Sequence, residues 1–417
     1  MKRAVCIFLC IVFCFTLSGC SPVIDIIDLI YANDAVREVE NKPYFAFSNG
    51  TLFKDSEETY LPAAHFDAEQ SEYSQYRSSI YYNTLSPEEQ YIYLALQYAM
   101  ENCYKNVLVD SALAADTDTV VKVLQHLALD SPLLEQNLRY VTGTFTSSIP
   151  VNILGLYNDY ADFDGFYISV DNFTKEMWDK KLEAITVAQQ RVDALPDSLS
   201  LAEKAERLYL SLAQSVEYSL YDDDDNTKVF PYLYDALVTE KTHCDGHANA
   251  LSLLLRLAGI EVCEKDYTPE KEGQPGHTWV TFSLDGQWYN ADSTNGDLIP
   301  KKACSMKSGY YFGFSDDMRH YKENYDEVTP ACKESLYMEP DGTLYGIEGN
   351  SFSSIVVDAF VEREPCWALI KVFNYNEASV KRQIQRCADQ TYSTCYWMTL
   401  DVADGSTMVF VYQKGLF

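Results

Sequence analysis

The spacing of apolar residues predicts a mainly helical region in the first half of the chain. A helix start is indicated by Ser86-Pro87-Glu88-Glu89, because Ser86 can cap a helix, Pro87 suits its first position and Glu89 completes a capping box. The periodicity predicts helices at about 86–105, 117–129, 174–194 and 200–218. Residues 138–170 alternate aromatic and polar positions instead, which predicts strands and loops.

The centre of the chain combines a buried helix with a β-hairpin. Residues 248–258 are mostly apolar, which predicts a buried helix that begins near Cys244 and is capped by Gly259. Two alternating runs flank Asp285-Gly286, a dipeptide typical of a two-residue hairpin turn. In this register Asp292 lies opposite Trp279 and diagonal to His277, on the same face of the sheet.

The last part of the chain has a different pattern. We predict strands at 355–362 and 367–375, a helix at 377–386, and strands at 396–402 and 408–412. This order describes a small β-β-α-β-β module. No residue pattern in it indicates chemistry, so we interpret it as an accessory module.

The first twenty residues have the pattern of a secretory signal peptide. Lys2 and Arg3 precede an apolar run at 4–16, which is short for a membrane-spanning helix. The run ends in Leu17-Ser18-Gly19-Cys20, which resembles the bacterial lipobox. We therefore expect lipid attachment at Cys20 and a location on the outer face of the bacterial cell membrane; an ordinary signal peptide cut near Gly19 is the alternative.

Composition restricts the possible partners. The chain has 62 acidic and 32 basic residues and a net charge of −30, so it repels nucleic acid. With 47% hydrophobic residues, most of it should fold. Of 12 cysteines, eight follow Cys20. Export permits disulfides among these eight, but their connectivity does not follow from the sequence.

Cys244, His277 and Asp292 together have the chemistry of a catalytic triad. A thiol at a helix N-terminus has a lowered pKa, and backbone N–H groups there can hold an oxyanion. His277 would accept the thiol proton, and Asp292 would fix the tautomer of the imidazole. The sequence therefore predicts a nucleophile, a base and an orienting carboxylate.

A metal site is the alternative interpretation of the same region. His243, Cys244, His247 and His277 are potential ligands, and His243 and His247 have the spacing of neighbours on one helix face. However, His243 lies before the helix or in its first turn, and no second carboxylate or Cys pair has ligand spacing. We therefore predict neither a metal nor any other cofactor.

Three segments of the sequence resemble the transglutaminase-like superfamily. They are Cys244-Asp245-Gly246 followed by Ala248, Gly276-His277-Thr278-Trp279, and Gln287-Trp288-Tyr289-Asn290-Ala291-Asp292-Ser293-Thr294. The resemblance covers about 200–325 and implies a papain-like core with Cys, His and Asp in this order. Relatives usually carry a Tyr where this chain has His247, so we assign His247, with Trp279, to the wall of the substrate pocket.

The resemblance implies an α+β fold and several domains. We expect a signal peptide at 1–20, a tether and irregular region at 21–80 and a mainly helical domain at 81–198. The transglutaminase-like domain, a helix starting at Cys244 packed on an antiparallel sheet, should occupy 199–330, and the C-terminal module 335–417.

The implied activity is acyl transfer from a peptide or amide through a thioester at Cys244. Hydrolysis by a peptidase or amidase is favoured over cross-linking, and a cell-wall peptide and a secreted protein are equally open as substrates. A non-catalytic surface module that keeps the fold for binding is the alternative. Loss of a triad residue would mark such a module, and Cys244, His277 and Asp292 are all present.

Overall fold

The structure is a computed structural model that describes most of the chain after residue 43. The described residues are 44–49, 58–67, 71–134, 140–153, 157–170, 173–219, 232–269, 276–296, 311–318, 324, 327–336, 351–362, 367–372, 375–401 and 407–413. The predicted signal peptide and Cys20 lie outside them. Among the described residues, no helix has the length and apolar character needed to span a bilayer.

The described residues form two compact units. The first takes its residues from the ranges 1–70, 87–123 and 140–170, and the second from 71–86, 124–139 and 171–417. Since residues 171–198 group with the second unit, the boundary differs from the predicted domain at 81–198.

The first unit contains a five-stranded antiparallel sheet. Its order is β2-β1-β3-β5-β4. The strands are β1 (Tyr44–Ser48), β2 (Glu58–Pro62), β3 (Asn106–Asp110), β4 (Tyr140–Ile153) and β5 (Tyr157–Val170). Helix α1 (Pro87–Glu101) belongs to this unit, and helix α2 (Thr117–Asp130) begins in it and continues into the second unit. The two helices agree with the predicted ones.

Two predictions for this region are corrected. Residues 21–80 were expected to be irregular, but they contribute β1 and β2. The expected mainly helical domain contains β3, which was not predicted, besides β4 and β5, which agree with the strands predicted at 138–170. The apolar run of β1 is buried throughout, between two neighbouring strands. A strand buried on both faces has no alternation of polar and apolar positions, so periodicity gives no signal for it.

The second unit begins with helices that surround a central one. They are α3 (Lys175–Asp193), α4 (Leu201–Ser215) and α5 (Cys244–Leu257), and both α3 and α4 pack against α5. The predicted capping box of Ser200 and Glu203 is present. A short parallel pair, β6 (Glu217–Tyr218) and β7 (Lys241–Thr242), precedes α5.

A four-stranded antiparallel sheet packs against α5. It has the order β11-β10-β9-β8, with β8 (Val262–Tyr267), β9 (His277–Leu284), β10 (Gln287–Ala291) and β11 (Phe312–Phe314). Leu284 pairs with Gln287, which confirms the predicted register. Asp285 and Gly286 have φ values of 51° and 80°, as a two-residue turn with both φ angles positive requires.

The C-terminal module differs from its prediction in one element. It consists of α6 (Ser351–Glu362), β12 (Trp367–Val372), α7 (Glu377–Thr391), β13 (Cys395–Asp401) and β14 (Thr407–Gln413). A strand was expected at 355–362, where the structure has α6. Phe352, Val356 and Phe360, spaced four apart, are all buried, so packing of this helix face outweighs the strand preference of the β-branched residues. The remaining four elements agree with the prediction.

Cysteine pairing is open in the sequence, and the structure describes six of the eight cysteines concerned. Cys103, Cys244, Cys263, Cys332, Cys387 and Cys395 form no disulfide with one another. Cys304 and Cys366 lie outside the described residues.

Candidate active site

Cys244 is the first residue of α5. His243 caps this helix, because its Nδ1 accepts a hydrogen bond from the Asp245 backbone N–H at 3.2 Å. Gly246 follows, and a side chain there would collide with that of Thr242 in β7. The close approach of β7 therefore requires glycine and holds the start of the helix in place. Cys244 lies half-buried at the positive end of the helix dipole.

His277 and Asp292 form the second part of the site. His277 is the first residue of β9, and Asp292 directly follows β10. The His277 Nε2 and Asp292 Oδ2 atoms are 2.7 Å apart. The diagonal placement predicted from the hairpin register is confirmed.

Asn295 is a member of this cluster that the sequence analysis missed. Its side-chain Nδ2 donates to Asp292 Oδ2 at 2.6 Å, and its backbone N–H donates to Asp292 Oδ1 at 2.9 Å. The second bond is a local turn, in which an Asp side chain accepts from the backbone three residues later. This Asp-x-x-Asn spacing was the available signal.

The His277 imidazole connects the carboxylate to the thiol. Its Nε2 contacts Asp292, and interaction with the Cys244 thiol contributes to the raised pKa of the His277 imidazole. Because Nε2 is held by the carboxylate, we infer that Nδ1 faces the sulfur. The chain order Cys, His, Asp thus becomes a spatial order in which the imidazole lies between the two other groups.

The electrostatics of the three groups favour a charged pair. Burial raises the pKa of the Cys244 thiol, but the interactions with His243 and His277 together outweigh this effect. The pKa of the thiol therefore lies below its ordinary value. Burial acts to lower the pKa of His277, yet the Asp292 charge and hydrogen bond hold this pKa well above the usual range. Burial raises the pKa of Asp292, which His277 and Asn295 nevertheless hold below normal. The shifts therefore move Cys244 toward its thiolate form and His277 toward its imidazolium form.

The region that contains these residues matches a known family. Residues 186–293 match the sequence model of the transglutaminase-like superfamily. This part of the chain is a transglutaminase-like domain. The match includes Cys244, His277 and Asp292.

Two curated relatives match a longer part of the chain. Kyphoscoliosis peptidase from Homo sapiens is 24% identical over 211 residues, which are 47% of this chain and 31% of the relative. The Mus musculus protein of the same name is 26% identical over 197 residues, 44% of this chain and 29% of the relative. The chain thus spans about a third of the length of the curated relatives it matches.

Among solved structures, the periplasmic domain of TgpA from Pseudomonas aeruginosa is similar to this chain. The alignment has a TM-score of 0.21 at 14% identity and covers 48% of this chain and 72% of that structure.

Trp279 supports the imidazole of the transglutaminase-like domain. Its ring is stacked with that of His277, with centroids 6.0 Å apart and an interplanar angle of 17°. Its Nε1 donates to Asn290 Oδ1 at 3.1 Å. Since only 3% of Trp279 is exposed, it offers almost no surface to a substrate. The expected pocket wall is therefore corrected to a packing contact that fixes the plane of His277.

His247, the other expected wall residue, is also corrected. It has 0% exposure, because it lies on the face of α5 that packs into the protein. Neither ring nitrogen has a hydrogen-bond partner among the residues that the structure describes. Burial lowers the pKa of His247 to about 4. The transglutaminase-like domain thus carries a neutral histidine here at neutral pH, which adds no positive charge near His277.

Asp245 is a third side chain close to the Cys244 thiol. Its Oδ1 accepts a hydrogen bond from Thr278 Oγ1 at 2.6 Å and is 3.8 Å from Cys244 Sγ. The His243 Nδ1 atom is 3.9 Å from the same sulfur. The thiol is therefore bordered by His277 of the triad and by His243 and Asp245, the residues on either side of it in the chain.

Proposed function

We propose that the transglutaminase-like domain is a thiol enzyme that transfers the acyl group of a peptide or amide through a thioester at Cys244. Hydrolysis is the favoured outcome. The observation that carries the proposal is the pair of His277 and Asp292, whose Nε2 and Oδ2 atoms are 2.7 Å apart, together with the lowering of the Cys244 pKa by His277. The name of the curated relatives, a peptidase, supports the same reaction class.

The first half of the reaction forms the acyl-enzyme. The Cys244 thiolate attacks the carbonyl carbon, the C=O π electrons move to oxygen, and the helix N-terminus stabilises the oxyanion. When the tetrahedral intermediate collapses, the C–N bond breaks and the nitrogen takes the proton of the His277 imidazolium. An amine leaves, and the acyl group remains on Cys244 as a thioester.

The second half returns the enzyme to its starting state. His277, now neutral, accepts a proton from water as the oxygen of that water attacks the thioester carbon. Collapse expels the Cys244 thiolate and releases a carboxylic acid. An amine in place of water gives a new amide by the same steps, so the triad alone is compatible with both outcomes.

The contacts of His277 favour this role for the ring. Trp279 stacks on it and Asp292 holds Nε2, so that rotation of the ring away from Cys244 would break both contacts. Asn295 in turn fixes the carboxylate through two hydrogen bonds. Preorganisation of this kind lowers the barrier because the base need not be oriented during the reaction.

The proposal predicts Cys244-dependent cleavage of peptide amides. We expect the full chain to release amine from a fluorogenic peptide library, Cys244→Ala to abolish this release, and Cys395→Ala to leave it unchanged. Cys395 is a matched control because it is also half-buried, whereas burial raises the pKa of its thiol. A labelled primary amine in the same assay measures how the acyl group divides between water and amine.

Two outcomes would contradict the enzymatic proposal. Release that persists in Cys244→Ala would place the chemistry elsewhere. Absence of release, together with iodoacetamide labelling of Cys244 no faster than that of Cys395, would favour the non-catalytic binding module.

We also propose that Cys20 carries a lipid anchor and that the substrate is a peptide or protein outside the cell membrane. The lipobox-like sequence at Cys20 supports the anchor. When the protein is expressed in a bacterial host, the wild-type chain should partition into the detergent phase. The Cys20→Ala variant should be released from the detergent phase or accumulate as the unprocessed precursor. Equal partitioning and processing of both proteins would overturn the anchor.

A further inference from the structure

Three side chains at the start of α5 bring metal-ligating atoms together. They are His243, Cys244 and Asp245, whose ligand atoms all lie within 4.8 Å of one another. The set combines an imidazole nitrogen, a thiol sulfur and a carboxylate oxygen. These three atom types are the common protein ligands of zinc.

The spacing of these atoms fits a single ion. The Sγ–Nδ1 distance is 3.9 Å, the distance from Sγ to Asp245 Oδ1 is 3.8 Å, and that from His243 Nδ1 to Asp245 Oδ2 is 3.8 Å. Zinc bonds of about 2.0–2.3 Å in a tetrahedron place neighbouring ligand atoms about 3.3–3.6 Å apart. The two 3.8 Å distances involve different oxygens of Asp245, so binding requires this carboxylate to rotate until one oxygen lies near both Sγ and Nδ1. The three ligand atoms, which already lie within 4.8 Å of one another, then occupy three corners.

The hydrogen bonds around the cluster are compatible with metal binding. Nδ1 of His243 accepts the Asp245 N–H, so in the neutral ring the proton is on Nε2, and the single Nδ1 lone pair becomes available to a metal when that hydrogen bond breaks. Thr278 donates to Oδ1 of Asp245, as expected for an ionised carboxylate. Thiolate and carboxylate together provide two negative charges, which a divalent cation neutralises.

The cluster is also accessible to ions from solution. The side chains of His243 and Asp245 are 16% and 14% exposed, and Cys244 is half-buried. The chain as a whole has a net charge of −30, which raises the local concentration of cations. His247, by contrast, is fully buried, so the ligand set considered from the sequence is replaced by one that includes Asp245.

We propose that Zn²⁺ binds reversibly to His243, Cys244 and Asp245 and thereby switches off the thiol. This inference rests on the proposed function, because the Cys244 sulfur that would bind zinc is the nucleophile of the proposed reaction. A zinc-bound sulfur shares with the metal the electron pair that would attack a carbonyl. Water would occupy the fourth corner. Binding displaces the hydrogen bond between His243 and the Asp245 N–H, which makes the ion easier to remove than a structural zinc.

The test measures metal binding without any substrate. Co²⁺, a spectroscopic substitute for zinc, should give one equivalent of a thiolate-to-cobalt charge-transfer band with the full chain, and Cys244→Ala should lose it. Zn²⁺ should protect Cys244 from iodoacetamide, and a chelator should restore labelling. These readouts stand apart from the peptide assay.

The decisive variant is His243→Asn. Asparagine is a good N-cap, so it keeps the helix start and removes the imidazole ligand. In each protein, the labelling rate with zinc is compared with the rate without metal. We expect the zinc concentration that protects half of Cys244 to be about 10-fold higher or more in His243→Asn than in the wild type. His65→Asn is the matched control, since His65 lies on a short helical turn far along the chain from the cluster, and it should leave protection unchanged.

The outcomes separate the two proposals. Equal zinc protection in wild type and His243→Asn, or a cobalt band that survives Cys244→Ala, would overturn the metal site. If peptide cleavage fails but the Cys244- and His243-dependent band is present, the metal site stands and the proposed function is wrong.

Discussion

His277→Ala is expected to slow alkylation of Cys244 by up to about 100-fold at pH 6.5, because an isolated thiol with a pKa near 8.5 is only about 1% ionised there. In the wild type, the pKa of Cys244 is lowered and that of His277 is raised. Both shifts favour the charged forms, a thiolate at Cys244 and an imidazolium at His277. Iodoacetamide labelling at several pH values, read by mass spectrometry, measures the effect.

The pH profile makes this prediction specific. Without His277, alkylation of Cys244 should become fast only at higher pH, near the pKa of an ordinary thiol. The alkylation rate should not be reduced by the same factor at every pH. His126→Ala is a useful control, since His126 is also buried and its ring lies beside Tyr81 rather than a thiol. An unchanged profile in His277→Ala would show that the imidazole does not activate Cys244.

Much of the candidate site was predictable because its geometry is set locally. The Asp285-Gly286 turn fixes which residues of β9 and β10 face each other, and so places Asp292 near His277. The start of α5 at Cys244 follows from the apolar run after it and the capping side chain before it. Each of these features depends on residues close in sequence.

Other features depend on contacts that sequence patterns do not encode. Trp279 was placed at a pocket wall because the hairpin register puts it across from Asp292, but the depth of its burial comes from the packed sheet. The helix α6 contains β-branched residues that favour a strand, and its buried face is fixed by the strands of the module. Tertiary packing decided both cases.

His243 shows how a correct placement along the chain did not reveal the partners of a side chain. The sequence analysis considered the spacing of His243 and His247 on one helix face, but it placed His243 before the helix or in its first turn. In the structure His243 is the N-cap, outside the helical turn, and its ring nitrogen bonds the Asp245 backbone. The capping geometry turns His243 toward Asp245 and Cys244, and this explains why the ligand set changed.

Asp292 provides the second large expected effect. Cys244→Ala should be inactive, whereas Asp292→Ala should lose about 10²–10³ in kcat/KM for peptide cleavage and remain measurable. The carboxylate is expected to hold the imidazole and stabilise its charge, and neither effect is the bond-forming step. A serine triad can lose up to about 10⁴ when this residue becomes Asn, but a thiolate needs less help.

The structure sharpens this prediction through Asn295. In Asp292→Asn the new amide can offer its NH₂ to Nε2, which would favour the proton on Nδ1 and remove the acceptor that faces Cys244. Asn295→Ala keeps the charge of Asp292 and removes only one of its donors, so its loss should be about 10-fold or less. Melting temperatures identify any variant that fails to fold.

The pH dependence distinguishes an orienting role from a general loss of structure. Asp292 raises the pKa of His277, so Asp292→Ala should lower the pH at which the imidazolium loses its proton and narrow the active range from its alkaline side. Loss of packing alone would reduce kcat/KM equally at every pH. A variant of Asp292 with full activity and an unchanged profile would remove the carboxylate from the mechanism and leave Cys244 and His277 as a dyad.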